Sequence, residues 1–332
     1  MKIAINGFGR IGRIFFRQAF NAPDFDIVII NDLGDVENLA YLLKYDSVYG
    51  RYGKNIEVKN RNFVIDDKEI KVFNEKDPVN LPWKDLDIDI VVESTGVFDS
   101  YEKAKVHLEA GAKRVVITAP SKDDKTATAT PNVGIEFLED CKITSNASCT
   151  TNAATPVASI MSLNPGIKKA VLNTVHGYTA SQPLVDGANK DFKLGRAGAV
   201  NIIPTHTGAA IATEKAMPEL TGIFDGVALR VPVIAGSIID FTFISKRKTT
   251  VEEINGILKE AAEMPEWQGI FKVSNEPLVS TDILGEPYGS IADLAFTRVV
   301  DHDLVKILSW YDNEYGYCAM LIKHIEALQK FL

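Results

Sequence analysis

The chain has 332 residues, of which 46% are hydrophobic and 24% are charged. This length and apolar content predict two globular domains with a core in each, and they exclude a disordered chain. The 36 Lys and Arg residues against 44 Asp and Glu residues give a net charge of −8, which argues against a protein that mainly binds nucleic acid or an anionic membrane.

The first part of the chain alternates strand-length apolar runs with segments of helical period, a pattern typical of a parallel sheet with crossover helices. The predicted strands cover residues 2–6, 27–31, 88–92, 114–118 and 142–144. The predicted helices cover residues 10–20, 36–45 and 102–110. Three short runs between residues 54 and 74 indicate an antiparallel insert.

After about residue 148, longer strand patterns dominate and predict an α+β domain with an antiparallel or mixed sheet. These strands cover residues 169–176, 226–233, 237–245 and 304–311, with helix patterns at 208–217 and 251–262. The 30 residues from 178 to 207 show no clear period, so they are either a functional loop or contain a missed element. We therefore predict domains at 1–148 and 149–312, with a last helix at 313–332 that could pack on either one.

A glycine-rich turn at residues 7–12, G-F-G-R-I-G, follows the first predicted strand and opens the first predicted helix. Gly7, Gly9 and Gly12 can serve a tight turn, a close approach to a pyrophosphate, and close helix–strand packing. Asp32 comes 20 residues after Gly12, where its carboxylate can bind a ribose hydroxyl and repel a 2′-phosphate. The pattern predicts a Rossmann-type site that prefers NAD to NADP; a structural turn with a capping Asp32 is the alternative.

Small polar residues follow two further predicted strands: Ser94, Thr95 and Gly96 after one, and Thr118 after the other. Because ligands bind beyond the carboxyl ends of parallel strands, we expect cofactor contacts there. Ordinary loop residues are the alternative interpretation.

Three cysteines, Cys141, Cys149 and Cys318, are too few for a disulfide framework, which favours a reducing compartment. The sequence shows neither a signal-peptide core nor an apolar run of membrane-spanning length, so we expect a cytoplasmic protein. Cys141 and Cys318 lie in apolar patterns and are interpreted as small buried residues.

Cys149 lies instead among small polar residues, in the segment 145–152, S-N-A-S-C-T-T-N, at a predicted strand-to-helix transition. A thiol at a helix N-terminus has a lowered pKa and can attack an electrophile. Pro156 leaves the start of this helix open, because proline favours the first turn of a helix.

His176 ends a predicted strand and opens the long segment without a period. Paired with Cys149, its imidazolium could stabilise a thiolate and later move a proton; a structural histidine is the alternative. His206 is a second candidate. Metal binding is not expected, because neither Cys149 nor His176 has companions at ligand spacing.

Two arginines could bind anions in this acidic chain. Arg230 lies within an apolar strand pattern and Arg196 among small residues of the long segment. A guanidinium suits phosphate, although a solvent-facing strand position is the alternative for Arg230. Thr207 and Gly208 begin a helix pattern whose backbone amides could hold a second anion.

Three segments together resemble the phosphorylating glyceraldehyde-3-phosphate dehydrogenase family. They are N-G-F-G-R-I-G-R at 6–13, S-N-A-S-C-T-T-N at 145–152 and W-Y-D-N-E-Y-G-Y at 310–317. The resemblance runs over essentially the whole chain. It implies NAD-dependent oxidation of glyceraldehyde 3-phosphate through a thioester that inorganic phosphate releases.

The resemblance also implies roles for individual residues. Cys149 matches the nucleophile and His176 matches the base. The attacking phosphate is expected at Ser148, Thr150, Arg196, Thr207 and Gly208. The substrate's own phosphate is expected at Thr179 and Arg230. NAD contacts are expected at Gly7, Gly9, Arg10, Ile11, Gly12, Asp32, Lys76, Ser94, Thr95, Gly96, Thr118, Asn313 and Tyr317.

The same family resemblance implies a homotetramer, a loop at 178–207 that reaches toward a neighbouring subunit, and a terminal helix that packs on the NAD-binding domain. Gly187 and Ala188 stand where a proline often accompanies Asp32, which leaves some NADP use open. Three other functions remain as alternatives: erythrose-4-phosphate dehydrogenase, a Cys–His thiol hydrolase, and a non-catalytic NAD-binding regulator.

Overall fold

The computed structural model describes all 332 residues, which divide into two units. The first unit comprises Met1–Ala129, Ile135–Ala147 and Leu321–Leu332. The second comprises Thr130–Gly134 and Ser148–Met320. Each unit has its own large sheet, which confirms the predicted mixed α/β fold class.

The first unit has eleven strands, several of them very short. They are β1 (Lys2–Asn6), β2 (Asp26–Asn31), β3 (Tyr45–Asp46), β4 (Gly50–Arg51), β5 (Ile56–Lys59), β6 (Asn62–Ile65), β7 (Lys68–Phe73), β8 (Ile90–Glu93), β9 (Arg114–Ile117), β10 (Ala127–Thr128) and β11 (Ile143–Ser145). Its helices are α1 (Arg10–Ala19), α2 (Val36–Lys44), α3 (Tyr101–Ala104) and α4 (Val106–Glu109).

Nine of these strands form one sheet in the order β10-β11-β9-β8-β1-β2-β7-β6-β5. The strands from β10 to β7 run parallel, and their apolar runs are continuous because both faces of the sheet are covered. Ile3, Ala4 and Ile5 of β1, for example, are fully buried. The centre of this sheet is thus a rigid base for the turns at its carboxyl edge.

Two details of this unit differ from the prediction. The three short runs after residue 54 do pair antiparallel, but β7 also pairs parallel with β2, so they extend the main sheet rather than form a separate insert. The helix predicted at 102–110 is split at Lys105 into α3 and α4. A hydrophobic pattern alone does not show either the pairing partner of an edge strand or a break in a short helix.

The second unit contains seven strands and most of the longer helices. The strands are β12 (Ile167–Gly177), β13 (Ile203–His206), β14 (Phe224–Val231), β15 (Ser237–Ser245), β16 (Phe271–Ser274), β17 (Ser290–Val300) and β18 (Leu304–Tyr311). The helices are α5 (Cys149–Leu163), α6 (Ala209–Ala216), α7 (Val251–Glu263) and α8 (Tyr315–Leu328), whose residues from Leu321 belong to the first unit.

The seven strands form a mixed sheet in the order β13-β14-β12-β15-β18-β17-β16. The strand β15 alternates buried and partly exposed residues along its whole length, as expected for a sheet with one covered face. Helix α5 packs into the core of this unit through Val157, Met161 and their neighbours. The start of α5 is thereby fixed against the sheet.

Three strands of this sheet were missed by the sequence reasoning. The strand β13 lies inside the segment 178–207, which has no clear period and was expected to be either a functional loop or to contain a missed element. Its Pro204 is tolerated because β13 pairs only with β14 at the sheet edge. The strand β17 lacks a regular alternation because its register with β18 shifts between Asp293 and Arg298. The third, β16, has only four residues.

None of the helices combines the length and the apolar character that crossing a membrane requires.

Candidate active site and cofactor pocket

The glycine-rich turn connects β1 to α1, and each of its glycines meets a different constraint. Gly7 has φ +93°, and a Cβ there would lie 2.6 Å from the backbone nitrogen of Thr95. A Cβ on Gly12 would lie 2.2 Å from the carbonyl oxygen of Gly7, so only glycine lets α1 pack this closely. A Cβ on Gly9 would meet nothing within 4 Å, so the backbone there faces open space that a ligand can enter.

A cavity of about 520 Å³ opens beside this turn in the first unit. It is lined by Asn6, Gly7, Gly9, Asn31, Asp32, Leu33, Glu75, Lys76, Ser94, Thr95, Val97 and Phe98. Six predicted cofactor residues are therefore brought together from four separate parts of the sequence. The backbone amides of the turn, one carboxylate and an apolar lip at Leu33 and Val97 fit a dinucleotide.

Asp32 borders this cavity and also holds the turn in place. Its Oδ2 accepts a hydrogen bond from the backbone N–H of Phe8 at 2.6 Å, and its Oδ1 accepts one from Gly34 at 2.8 Å. The helix-capping role considered for Asp32 is performed by Asp35, whose side chain accepts from the N–H of Asn38. Asp32 is therefore a turn-fixing carboxylate at the mouth of the cavity.

Other predicted cofactor residues do not border this cavity. Arg10 forms an ion pair with Asp46 at 2.5 Å, and its guanidinium lies over the ring of Tyr49. Thr118 donates a hydrogen bond from Oγ1 to the carbonyl of Glu93. Three more, Ile11, Gly12 and Gly96, are absent from the lining, and Asn313 and Tyr317 belong to the second unit.

A buried polar network beneath the cavity was not found from the sequence. The carboxylate of Glu93 accepts hydrogen bonds from Asn6 Nδ2 at 2.6 Å, from the backbone N–H of Thr95 at 2.8 Å and from Thr95 Oγ1. His107 Nε2 lies 3.0 Å from the same carboxylate, and Trp83 Nε1 donates to His107 Nδ1 at 3.1 Å. Because an indole N–H can only donate, Nδ1 must be the acceptor and Nε2 carries the hydrogen.

In the second unit, α5 begins at Cys149 itself. Ser148 is the N-cap, and its Oγ accepts a hydrogen bond from the N–H of Thr151 at 3.1 Å. Pro156 lies inside the helix rather than at its start. The partly buried thiol therefore occupies the first helical position, where the helix dipole favours its charged form.

His176, near the end of β12, stands beside this thiol at the start of α5. Its Nε2 lies 3.4 Å from Cys149 Sγ, which brings the two predicted catalytic residues into contact. His176 on β12 is directly opposite Arg230 on β14, and Arg230 Nη1 lies 2.7 Å from His176 Nδ1. The parallel pairing of these two strands thus places a guanidinium behind the imidazole.

The contacts at His176 Nδ1 favour two different tautomers. A hydrogen on Nδ1 donates to the carbonyl of Gly177 at 2.6 Å, whereas a bare Nδ1 accepts from Arg230. Arg230 Nη1 also lies 3.2 Å from the Gly177 carbonyl, so it has an alternative acceptor. Only the first tautomer leaves a lone pair on Nε2 that can accept the proton of Cys149.

Burial shifts the pKa of both groups toward the neutral form. Desolvation and, to a smaller extent, the nearby charge of Arg230 lower the pKa of His176 to about 3. Desolvation also raises the pKa of Cys149, against the opposing effects of Arg230 and of the backbone N–H of Thr150. In this environment desolvation favours a neutral thiol and a neutral imidazole over the thiolate–imidazolium pair considered from the sequence.

Tyr311 lies below the pair and was not predicted as a site residue. Its hydroxyl is 2.8 Å from Thr150 Oγ1 and 2.7 Å from Thr174 Oγ1, and its ring meets that of His176 edge-on at 6.0 Å. Desolvation raises the pKa of Tyr311, so it stays protonated. The alternation of β18, which turns Tyr311 inward, is the one sequence signal that could have revealed it.

The remaining predicted anion-binding residues are divided between the helix ends and the long loop. Thr207 Oγ1 accepts from the N–H of Ala209 at the start of α6, next to exposed Gly208. Thr179 Oγ1 lies 2.8 Å from Ser181 Oγ. Arg196 is exposed and pairs with Asp186 at 2.7 Å. The second histidine candidate, His206, is exposed on the edge strand β13.

Asn313, just beyond β18, has an amide with a fixed orientation. Its Oδ1 accepts hydrogen bonds from the backbone N–H of Gly236 and from Ser237 Oγ, both at 3.0 Å. Asn313 is buried, and its Nδ2 makes no hydrogen bond within the protein. A donor is thus held ready for a ligand.

Models of two domains match the chain: the NAD binding domain of glyceraldehyde 3-phosphate dehydrogenase over residues 1–101, and the C-terminal domain of the same enzyme over residues 148–313. The chain belongs to the glyceraldehyde-3-phosphate dehydrogenase family. Its identity to the glyceraldehyde-3-phosphate dehydrogenase of Borreliella burgdorferi is 47%, over 99% of this chain and 100% of the relative.

Other members of the glyceraldehyde-3-phosphate dehydrogenase family have similar sequence identities to this chain. The enzyme of Thermotoga maritima is 47% identical over 99% of both chains, and that of Clostridium pasteurianum is 46% identical over 99% of this chain and 98% of its own. Family membership confirms the resemblance inferred from the three sequence motifs. It also makes this chain an NAD-dependent oxidoreductase with its NAD-binding domain at the N-terminal side.

Proposed function

We propose that this chain catalyses the NAD-dependent, phosphorylating oxidation of D-glyceraldehyde 3-phosphate to 1,3-bisphosphoglycerate. The observation that carries the proposal is the 3.4 Å contact between Cys149 Sγ, at the first position of α5, and His176 Nε2. A nucleophile in contact with a general base is the arrangement that covalent catalysis requires. Membership in the glyceraldehyde-3-phosphate dehydrogenase family supports the choice of aldehyde.

The thiol of Cys149 adds to the aldehyde carbon, and its proton passes to Nε2 of His176 and from there to the aldehyde oxygen, giving a thiohemiacetal beside a neutral imidazole. His176 then takes the proton of the thiohemiacetal hydroxyl as the carbon loses a hydride, and a thioester remains on Cys149. NAD, when bound, supplies the acceptor for that hydride. Inorganic phosphate attacks the thioester carbon, and the sulfur of Cys149 leaves as the acyl phosphate is released.

Arg230 can couple substrate binding to the basicity of His176. Its positive charge lowers the pKa of His176 and competes for Nδ1. If Arg230 binds the phosphate of the substrate, that anion offsets the positive charge, and Nδ1 is left to donate to Gly177. Substrate binding would then raise the pKa of His176, the base that acts on that substrate, and would favour the tautomer in which Nε2 accepts a proton.

The cofactor is proposed to lie in the cavity of the first unit, with its pyrophosphate against the turn and α1. Asp32 would accept hydrogen bonds from the ribose hydroxyls, which favours NAD over NADP. The other proposed contacts are Gly7, Gly9, Arg10, Ile11, Gly12, Lys76, Ser94, Thr95, Gly96, Thr118, Asn313 and Tyr317. Residues 1–148 together with the helix at 313–332 would form the cofactor domain, and residues 149–312 the catalytic domain.

The attacking phosphate is proposed to bind at the start of α6 and around Cys149, where hydroxyl and backbone N–H donors are available. Its residues would be Ser148, Thr150, Arg196, Thr207 and Gly208. The substrate's phosphate would take Thr179 and Arg230. The ion pair of Arg196 with exposed Asp186 is weak enough to exchange for a phosphate.

We also propose a homotetramer and a cytoplasmic location. Exposed apolar side chains on the sheet and the long loop of the second unit support association: Val171 and Val227 on the strands, and Leu184, Phe192 and Ile202 in the loop. The catalytic thiol would require a reducing compartment, because a reactive thiol oxidises readily. Sedimentation of the purified chain tests the number of subunits.

Formation of NADH with and without inorganic phosphate tests the proposed function. Turnover should require phosphate, should favour glyceraldehyde 3-phosphate over erythrose 4-phosphate, and should be abolished in Cys149→Ala. Cys141→Ala is the matched control, because it removes another partly buried free thiol and should keep wild-type turnover. Robust phosphate-dependent activity in Cys149→Ala would reject the proposal.

A further inference from the structure

The side-chain amide of Asn313 is held in one orientation by Gly236 and Ser237, so one defined atom of that amide is left to face a ligand. A backbone N–H can only donate, so the contact with Gly236 assigns Oδ1 of Asn313 to the protein side. The second contact, from Ser237 Oγ, fixes the same oxygen. Nδ2 is therefore the atom left to donate, although only 6% of Asn313 is exposed.

Ser237 stands at a junction of three strands. It opens β15, lies opposite Tyr311 on β18, and is next to Ile238, which pairs with Val175 on β12. Its Oγ donates to Asn313 and accepts from the backbone N–H of Gly177 at 3.3 Å. One buried hydroxyl therefore connects the backbone that follows His176 with the amide of Asn313.

The backbone around this hydroxyl has little freedom to move. Gly236 has φ +85°, and a Cβ there would lie 2.4 Å from the carbonyl oxygen of Ser280, so only glycine fits. Ser237 itself is 1% exposed. Such tight packing holds a side chain in one orientation.

We propose that Ser237 is a positioning residue, which holds the Asn313 amide so that Nδ2 donates to the carboxamide oxygen of the nicotinamide. This rests on the proposed function, in which Asn313 contacts the nicotinamide. A carboxamide held at one orientation fixes which face of the ring is turned to the substrate. Ser237 thereby contributes both to NAD affinity and to the use of a single face of the ring for hydride transfer.

Ser237→Ala removes one of the two donors to Oδ1 and the acceptor of the Gly177 N–H. The amide can then turn over, and part of the bound nicotinamide loses its donor. A net hydrogen bond is worth about 1 kcal/mol, so the dissociation constant of NAD should rise roughly fivefold to tenfold. Calorimetric titration with NAD measures this without any turnover.

A second readout follows the hydride itself. With glyceraldehyde 3-phosphate deuterated at C1, the wild-type chain should place deuterium on one face of the reduced ring, as read by proton NMR. Ser237→Ala should place a measurable fraction on the other face. A residue that merely stabilised the fold would not change the face that is used.

Ser245→Ala is the matched control, at the other end of β15. Ser245 is also buried, and its Oγ donates to the carbonyls of Arg247 and Asp303. This control should keep the wild-type dissociation constant and a single labelled face. The proposal would be overturned if Ser237→Ala kept the wild-type dissociation constant of NAD and a single labelled face. Equal changes of these two properties in Ser237→Ala and Ser245→Ala would also overturn it.

Asn313→Asp covers the case in which Ser237→Ala does not fold. It keeps an oxygen toward Gly236 and Ser237 and replaces only the Nδ2 donor, so NAD affinity should fall at least tenfold with little change in melting temperature. Unchanged affinity would overturn the proposal. If the wild type binds NAD but forms no NADH with phosphate and the aldehyde, the proposed function fails, while the calorimetric comparison still decides the role of Ser237.

Discussion

His107 in the first unit and His176 in the second are both buried, with exposed fractions of 0% and 4%, yet their surroundings are opposite. His107 has a strong partner on each ring nitrogen, the indole N–H of Trp83 and the carboxylate of Glu93. His176 faces a weakly polar thiol on one side and a cation on the other. The two imidazole rings are similarly buried, but the groups that contact their nitrogens differ.

This difference separates a structural histidine from a chemical one. A ring whose two nitrogens are fully used has no site left for a substrate proton. A ring beside a thiol, with its pKa lowered by desolvation and by Arg230, is proposed to take a proton, and neutralisation of that cation would favour this transfer. The partners of a buried histidine therefore indicate its role better than its burial does.

The largest expected effect concerns the chemical histidine. His176→Asn should lower the rate of NADH formation about 10²-fold to 10⁴-fold, because the proposed general base is lost. Stopped-flow measurement of the first turnover reports this directly. The melting temperature should change less than in the variant of His107, since Cys149 and Arg230 are only partly buried. A first-turnover rate within tenfold of the wild type would contradict the assignment.

The structural histidine should show the reverse behaviour. His107→Asn leaves the buried carboxylate of Glu93 and the N–H of Trp83 with incomplete partners, so the free energy of unfolding should fall by about 3 kcal/mol. Denaturant unfolding measures this loss. The rate of hydride transfer per folded molecule should stay close to that of the wild type, and a selective loss of that rate with unchanged stability would refute the comparison.

A third buried histidine, His324, provides a smaller test through pH. Its Nε2 lies 2.9 Å from Thr144 Oγ1, and desolvation lowers its pKa to about 4. The unfolded chain binds this proton near pH 6.5, so stability is complete above that pH and declines as pH falls toward 4. Between pH 7.5 and pH 5 the contribution of His324 amounts to about 2 kcal/mol.

His324→Gln should therefore flatten the dependence of unfolding free energy on pH in that window. His302→Gln is the control, because His302 is exposed and should leave the dependence unchanged. A His324→Gln chain with the full wild-type slope would show that another group causes it.

The sequence predicted the elements that carry strong patterns. The first four elements, the strands that hold His176 and Arg230, and the turn with Asp32 all follow from period, glycine spacing and position. Cys149 and His176 were chosen because each lies at an element boundary. Their contact follows from the packing of α5 against the sheet of the second unit, which no local pattern reveals.

The strands and polar contacts that the sequence did not predict depend on tertiary pairing. The register shift in β17 hid an eleven-residue strand, and Pro204 hid β13. Glu93 and Ser237 are ordinary polar residues until the sheets bring Asn6 and Asn313 to them. The raised pKa of Cys149 depends on desolvation, and the lowered pKa of His176 on desolvation and on Arg230; neither environment can be read from residue order.

We propose that Cys149, assisted by His176, carries the substrate as a covalent acyl group. The most direct measurement mixes the chain with NAD and glyceraldehyde 3-phosphate in the absence of phosphate and examines its peptides by mass spectrometry. We predict a burst of one NADH per chain and an acyl adduct on the peptide that contains Cys149, which disappears when phosphate is added. An NADH burst without an adduct, or an adduct confined to Cys141 or Cys318, would contradict the account.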